Sequence, residues 1–189
     1  MQTREHHLAD HIETILLTEA QISARIAELA AEIEANDSTQ PDLTMLVLLH
    51  GSLLFAADLM RALSLPLYLD SFRVASYHGG TQSSGELQMD PKALSGMRGR
   101  HVLVVDDILD TGRTLATVTR VLIEDAGAAS VRSCVLLDKR VARAVEFEAN
   151  YVGFPIGDEF VVGYGLDYDG RYRNLPYIAT LKTSAICGA

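Results

Sequence analysis

Apolar residues recur every three or four positions near the N-terminus, as they do on one face of an amphipathic helix. The positions that carry this pattern are Ile22, Ile26, Leu29 and Ile33. The preceding Thr18-Glu-Ala-Gln21 is typical of a capping box, in which the first and fourth side chains accept hydrogen bonds from each other's backbone N–H groups. The pattern therefore predicts a helix that begins here and ends near Asn36-Asp37.

Four segments further along the chain predict strands. They are Thr44–Leu49, Tyr68–Ser76, His101–Val105 and Val131–Leu137. One intervening helix would be capped by Ser52, with an apolar face that includes Leu53, Ala56, Leu59, Met60 and Leu63. A second has apolar positions at Leu115, Val118, Leu122 and Ala126 and ends at Gly127. Strands joined through helices form parallel sheets, so we expect an α/β fold with a doubly wound, mostly parallel sheet.

The chain beyond Lys139 has shorter extended pieces, Tyr151–Ile156 and Phe160–Tyr164, broken by glycine and proline. We expect this part to form a small hood subdomain. The chain is then a single domain over residues 1–189, with a core at about 41–140 and a hood at about 141–189 that includes part of the N-terminus.

The polar stretch 77–100 is rich in glycine and serine and has little periodicity. Connections of this length are uncommon in compact domains and are often lids or binding loops, so the stretch indicates a mobile functional loop. A long hairpin, with Glu86–Met89 as its returning strand, is the alternative.

Composition and charge narrow the classes of partner. The 189 residues have a net charge of −9, which counts against binding to nucleic acid or to an anionic membrane surface. No apolar run approaches the roughly 20 residues of a membrane helix, and the polar start MQTREHHLAD does not resemble a signal peptide. Cys134 and Cys187 lie far apart without metal-ligand spacing. We therefore expect a cytoplasmic protein with reduced thiols.

The segment Val104-Val-Asp-Asp-Ile-Leu-Asp-Thr-Gly-Arg-Thr114 has the residue types that bind a sugar phosphate. An apolar strand leads to the carboxylates of Asp106, Asp107 and Asp110, and a helix then begins at Thr-Gly-Arg-Thr. The N–H groups at a helix N-terminus bind phosphate, and Gly112 would let the backbone approach the anion closely. Carboxylates bind sugar hydroxyls or a metal ion. The alternative is a cluster that only caps the helix and shapes the turn.

Two common nucleotide-binding motifs are excluded. A Walker loop needs glycine where Asp107 stands and lysine where Arg113 stands. Gly163-Tyr-Gly165 lacks the third glycine of a dinucleotide-binding fingerprint and does not begin a helix.

The segment resembles the signature of the type I phosphoribosyltransferases, which has an apolar strand, two acidic residues, two apolar residues and Asp-Thr-Gly-Arg-Thr. Four more segments resemble the hypoxanthine-guanine phosphoribosyltransferases within that family, in the family's order over residues 44–178. They are Leu48–Asp58 for the pyrophosphate loop and its helix, Ser76-Tyr77 with Gln82–Gly85 for the catalytic loop, and Leu136–Lys139 and Phe160–Tyr168 with Arg173 for the purine site.

This resemblance implies a purine salvage enzyme with Mg²⁺ as cofactor. The enzyme would transfer the 5-phosphoribosyl group of phosphoribosyl pyrophosphate to hypoxanthine or guanine, giving IMP or GMP and pyrophosphate. The resemblance also implies a homodimer or homotetramer. Two alternatives remain: transfer to xanthine, which shares the 6-oxygen, and a non-catalytic protein that senses phosphoribosyl pyrophosphate on the same fold.

The resemblance further implies residues for catalysis and purine binding. Asp110 would lie beside N7 of the purine and handle its proton, while Ser76 and Tyr77 would close over the site and exclude water. The 6-oxygen, the ring and the 2-position edge of the purine would be held by Lys139, Phe160 and the Val161 backbone.

The phosphates, the ribose and the metal ion have implied partners too. The 5′-phosphate would be held by Thr111, Gly112, Arg113 and Thr114, and pyrophosphate by His50, Gly51 and Arg173. Asp106 and Asp107 would lie near the ribose hydroxyls, directly or through magnesium, and Asp167 would be a further magnesium ligand.

His50 departs from the family, which usually has Lys or Arg immediately before the glycine of the pyrophosphate loop. Backbone N–H groups of the loop can still hold pyrophosphate, so we expect activity to be retained. Because an imidazole gains its charge only toward acidic pH, we expect pyrophosphate to bind more tightly near pH 6 than near pH 8.

Overall fold

The computed structural model describes residues 5–37, 43–73, 94 and 96–186. Within these residues, none of the helices is both long and apolar enough to cross a membrane. The described helices and strands, in chain order, are α1 (Glu5–Asp10), β1 (Ile12–Leu17), α2 (Glu19–Asp37), β2 (Leu43–Leu49), α3 (Leu53–Ala62), β3 (Tyr68–Arg73), β4 (His101–Leu109), α4 (Arg113–Glu124), β5 (Ser130–Lys139), β6 (Tyr151–Ile156), β7 (Val161–Val162), β8 (Ile178–Leu181) and α5 (Thr183–Ile186).

The core is a sheet with the strand order β3-β2-β4-β5-β6, and all of its described pairings are parallel. Successive side chains of a strand point to opposite faces, so Met45 and Val47 pack with α2 and α3, whereas Leu46 and Leu48 pack with α4. Cys134 is a buried free thiol in this core. Helices therefore cover both faces, and the predicted doubly wound α/β fold is confirmed.

The predicted capping box begins α2. The backbone N–H of Thr18 donates to Oε1 of Gln21 at 2.9 Å, and the backbone N–H of Gln21 donates to Oγ1 of Thr18 at 3.3 Å. These bonds satisfy N–H groups that have no partner within the helix. The apolar face of α2 is buried where the periodicity placed it, at Ile22, Ile26, Leu29 and Ile33.

The prediction that Ser52 caps α3 with its side chain is wrong. Ser52 precedes the helix but makes no side-chain capping hydrogen bond. Its buried hydroxyl donates instead to the carbonyl oxygen of Leu48, four residues earlier on β2. Ser52 therefore fixes the loop between β2 and α3 rather than the first turn of the helix.

Strand β4 is four residues longer than the predicted His101–Val105. It continues to Leu109, because Asp106, Ile108 and Leu109 keep the parallel register with β5. The acidic pair Asp106 and Asp107 consequently lies within the strand and not in the turn after it. For the strand predicted at Tyr68–Ser76, β3 is described to Arg73, and residues 74–76 lie outside the described part of the chain.

A second, antiparallel sheet forms the hood, with the order β1-β8-β7, so both ends of the chain contribute to it. The predicted boundary at residue 141 is wrong for Tyr151–Ile156, which pairs with β5 in the core sheet as β6. The link 140–150 has no helical pattern, yet it brings the chain back parallel to β5. We propose that core and hood form one domain, because Val161, Tyr164 and Ile178 pack in the same apolar cluster as α2 and α3.

The polar stretch 77–100 is described only at residue 94 and from residue 96 onward. Leu94 and Met97 are buried in the cluster that α4 covers, although no periodicity in this stretch indicates their burial. The interpretation of the preceding residues as a mobile loop or as a hairpin lies outside the described residues.

Candidate active site

A cleft of about 350 Å³ lies at the carboxyl ends of β2 and β4, a size within the range of small-molecule sites. Most of the predicted site residues that the structure describes line it, although they come from three distant parts of the sequence. These residues are His50, Gly51, Asp106, Asp107, Asp110, Thr111, Gly112, Thr114, Asp167 and Arg173. Arg113, Lys139, Phe160 and Val161 do not line this cleft, and Ser76 and Tyr77 lie outside the described residues.

The acidic pair on β4, Asp106 and Asp107, has pKa values that are raised by the surrounding protein. Burial, followed by the charge of Asp107, raises the pKa of Asp106 well above its ordinary value. Burial also raises the pKa of Asp107, against the lowering effect of its hydrogen bonds and of the Arg173 charge. Two adjacent carboxylates that are costly to ionise favour a cation or hydroxyl donors as their ligand.

The hood contributes a fixed cation to the cleft. Arg173 donates from Nη1 to the Gly165 carbonyl oxygen at 2.6 Å and pairs through Nη2 with Oδ1 of Asp167 at 2.7 Å. The other carboxylate oxygen of Asp167 accepts a hydrogen bond from the Gly170 N–H at 2.7 Å. Arg173 is therefore held in place as a positive group opposite the two aspartates of β4.

The turn before α4 requires a glycine for a steric reason that the sequence did not indicate, while the approach of its backbone to an anion stays a prediction. Gly112 has φ +79°, in the left-handed region, and a Cβ there would lie 2.4 Å from the Val145 carbonyl oxygen. The close approach is thus to the chain's own backbone. No side chain caps α4 and its first turn has no acidic residue, so its N-terminus is suited to an anion.

The predicted purine residues lie near the ends of β5 and β7. Leu109 is paired with Asp138 across the sheet, so Lys139, the next residue on β5, ends beside the Asp110 end of β4. The Lys139 side chain is mostly buried, with Nζ 3.7 Å from Oδ1 of Asp158. Phe160 is 51% exposed and meets the Tyr168 ring edge to face at 5.8 Å. An exposed aromatic face and a nearby cation are groups that can bind a flat, polar heterocycle.

Sequence reasoning gave no role to Asp138, which is the charged centre of a cluster beside this site. Its carboxylate is buried and pairs with Arg140 and with Arg143. The sequence signal was a carboxylate at the end of an apolar strand, followed by arginines two and five residues later.

The donor set fits a hard divalent cation. Mg²⁺ is usually held by one or two carboxylates together with water and substrate phosphate oxygens, and Asp106 and Asp107 supply two carboxylates in one cleft. Among the described residues, no three His, Cys, Asp or Glu side chains are grouped to hold a metal ion, and both oxygens of Asp167 already accept from Arg173 and Gly170. The cation would also stabilise the ionised form of the β4 pair, which burial makes costly.

Comparison with known protein families shows which family has this fold and this cleft. The phosphoribosyl transferase domain family matches residues 14–169, which include the core sheet and most of the cleft. The chain therefore belongs to the phosphoribosyltransferase family.

Within that family, the chain is similar to hypoxanthine-guanine phosphoribosyltransferases. The Streptococcus pneumoniae enzyme of that name is 42% identical over 175 residues, which are 93% of this chain and 96% of the relative. A hypoxanthine phosphoribosyltransferase structure from Staphylococcus aureus has a TM-score of 0.84 at 38% identity, covering 98% of this chain and 99% of that one. A Trypanosoma cruzi hypoxanthine phosphoribosyltransferase, solved as a ternary substrates complex, has a TM-score of 0.83 at 38% identity, with 94% and 99% covered.

Proposed function

We propose that this chain is a purine salvage enzyme that transfers the 5-phosphoribosyl group from phosphoribosyl pyrophosphate to hypoxanthine or guanine. The products are IMP or GMP and pyrophosphate. The observation that carries the proposal is the convergence of an acidic pair, an uncapped helix N-terminus and a fixed arginine in one cleft. The three features suit the ribose, the 5′-phosphate and the pyrophosphate of one substrate.

Phosphoribosyl pyrophosphate lies across the cleft in this proposal. Its 5′-phosphate binds the N–H groups and hydroxyls at the start of α4, from Thr111, Gly112, Arg113 and Thr114. Its pyrophosphate binds the loop of His50 and Gly51 and the Arg173 guanidinium. Asp106 and Asp107, between these ends, accept from the ribose hydroxyls directly or hold magnesium there.

The purine occupies the side of the cleft toward β5. N9 of the base forms the bond to C1′ as pyrophosphate leaves, and Asp110 accepts the proton from N7. Phe160 stacks on the ring, and the Val161 backbone contacts its 2-position edge. Lys139 donates to the 6-oxygen, which favours oxopurines, because adenine has an amino group there and would leave the donor unpaired.

Magnesium belongs to the proposed site, held by Asp106, Asp107 and Asp167. When bound, it neutralises charge that develops on the departing pyrophosphate. The protein's own residues fix the substrate around it, and Arg173 supplies a permanent charge. Ser76 and Tyr77 close over the site in this proposal. We also propose that the enzyme is cytoplasmic and assembles as a homodimer or homotetramer.

A single assay tests the proposed reaction. Purified protein is incubated with phosphoribosyl pyrophosphate, Mg²⁺ and each of hypoxanthine, guanine, xanthine and adenine, and nucleotide and pyrophosphate are measured. We expect turnover with hypoxanthine and guanine and very little with adenine. Turnover with xanthine alone would reassign the substrate. Tight binding of phosphoribosyl pyrophosphate without turnover of any base would make the chain a sensor and overturn the proposal.

A further inference from the structure

Arg143 lies at the centre of the segment 140–149, which links β5 to β6. Its guanidinium pairs through Nη2 with Oδ1 of Asp138, donates from Nη1 to the Phe147 carbonyl oxygen at 2.6 Å, and lies 3.4 Å from the Lys139 carbonyl oxygen. Its side chain is 15% exposed and that of Asp138 is 4% exposed. The buried Arg143 side chain thus links the end of β5, at Asp138 and Lys139, to Phe147 near the end of the segment.

The same segment packs on the turn before α4. The backbone N–H of Val145 donates to the Thr111 carbonyl oxygen at 3.1 Å. The Val145 carbonyl oxygen and Cβ of Phe147 occupy the space that a Cβ on Gly112 would need, at 2.4 and 3.4 Å. Phe147 packs on the apolar cluster under α4. The position of Thr111 and Gly112 therefore depends on the shape of the segment.

We propose that Arg143 is a positioning residue, which holds the segment 140–149 against Thr111 and Gly112 and so sets the turn that binds the 5′-phosphate. The proposal rests on the proposed function, since that function assigns the 5′-phosphate to this turn. Arg143 contacts no residue assigned to pyrophosphate, so pyrophosphate binding should not depend on it. It does lie against the Lys139 carbonyl oxygen, so guanosine, which lacks the phosphate, measures any effect on the purine side alone. Lysine cannot replace it, because only the planar guanidinium can reach a carboxylate and separate carbonyl oxygens at once.

Arg140 provides a matched control on the same carboxylate. It pairs with Oδ2 of Asp138 at 3.0 Å, but its side chain is 63% exposed. Exposed ion pairs contribute little to stability, and no side-chain contact described for Arg140 connects it with Phe147 or Thr111. Removing its charge therefore leaves the segment in place.

The test compares R143M with R140M in calorimetric titrations with GMP, guanosine and magnesium pyrophosphate. In R143M we expect GMP to bind roughly tenfold more weakly, the effect of a charge-assisted hydrogen bond lost to misplacement. Pyrophosphate should bind within about twofold of wild type, guanosine should lose clearly less affinity than GMP, and R140M should bind all three ligands within about twofold of wild type. A loss for guanosine as large as that for GMP, a comparable loss for pyrophosphate, or no loss for GMP would overturn the proposal.

A second variant keeps the proposal testable if R143M does not fold. R143K retains a charge beside Asp138 but lacks the second and third contacts, so we expect a smaller loss that is again greater for GMP than for guanosine. Hydrogen exchange at the Val145 amide should be faster in R143K and unchanged in R140M. An unchanged Val145 amide in R143K would contradict the proposal. If wild type binds neither GMP nor pyrophosphate, the proposed function itself fails.

Discussion

Asp107 lies so close to Gly51 that a Cβ at position 51 would be 1.5 Å from the Asp107 Oδ2 atom. The two residues come from neighbouring strands of the core sheet, since Gly51 follows β2 and Asp107 is on β4. The carboxylate cannot move freely, because its Oδ1 accepts from the Ile108 N–H at 2.9 Å. The acidic pair and the loop assigned to pyrophosphate are therefore in direct steric contact, and a side chain in the loop would displace the acidic pair.

Gly51→Ala should weaken pyrophosphate binding about 5- to 150-fold, since either the loop or Asp107 must move, and overpacking of this kind costs about 1–3 kcal/mol. Gly96→Ala is the control, because a Cβ at position 96 meets no atom within 4 Å. Calorimetric titration with magnesium pyrophosphate gives the result directly. Equal affinities for the two variants would show that Asp107 rotates away at no cost.

Asp106→Asn should stabilise the protein at pH 7 while impairing activity. A carboxyl group whose pKa is raised in the folded state contributes stability that is present below its unfolded pKa of about 3.9 and lost as pH rises through the folded value. Burial and Asp107 raise the pKa of Asp106, so the wild type has lost this contribution at neutral pH. Asparagine avoids the loss, and its side-chain oxygen can still accept from the Asp107 N–H.

We expect Tm at pH 7 to rise by roughly 2–6 °C in Asp106→Asn, which corresponds to about 1–2 kcal/mol in a chain of this length. The difference from wild type should shrink as pH is lowered toward 4. Thermal unfolding across this pH range checks both points. An increase that is the same at every pH would assign the effect to packing instead.

Asp110→Asn should fold normally, because the side chain is exposed at the edge of the cleft, and should lose most turnover. Acid–base groups typically contribute roughly 10²–10⁴-fold to rate. Single-turnover measurements separate the chemical step from product release. A chemical step within about threefold of wild type would remove Asp110 from proton transfer.

Many buried residues of the core could be predicted from the spacing of apolar residues alone. The apolar residues Leu115, Val118 and Leu122 are buried on α4 at the predicted spacing, and Met45 and Leu46 are buried on β2. A one-dimensional pattern suffices where burial alone decides which side chains face inward. The family signature could be found in the sequence because its residues are consecutive, from Val104 to Thr114.

Long-range partners were not predictable in this way. Two aspartates in a row indicate a turn, yet β4 continues through Asp106 and Asp107 because β5 supplies their backbone partners. Gly112 and Val145 are far apart in the sequence, and only the folded chain brings them into contact. Ser52 fixes the loop after β2 because its hydroxyl reaches the Leu48 carbonyl oxygen. Tertiary contacts overrode local propensity at each of these positions.

Phe160→Ala should weaken hypoxanthine binding about 5- to 150-fold, since an aromatic stack on a base is worth about 1–3 kcal/mol. Phosphoribosyl pyrophosphate should bind almost as in wild type. The ring is half exposed, so little stability is lost. Tyr168→Phe is the control, because it keeps the ring that Phe160 contacts. Equal weakening of both substrates would point to a packing role for Phe160.

His50→Lys should strengthen pyrophosphate binding at pH 8. His50 lines the cleft and is exposed, and an imidazole is mostly uncharged at pH 8, whereas lysine keeps its charge there. A unit-charge pair at 4 Å gains about 4 kcal/mol at an effective dielectric of 20, and solvent around an exposed loop reduces this greatly. We therefore expect a gain of about two- to tenfold in affinity. Calorimetric titrations at pH 6 and pH 8, with His50→Asn as the uncharged control, should show that wild type approaches the lysine variant at pH 6 and the asparagine variant at pH 8. Parallel pH profiles for all three proteins would mean that His50 only shapes the loop.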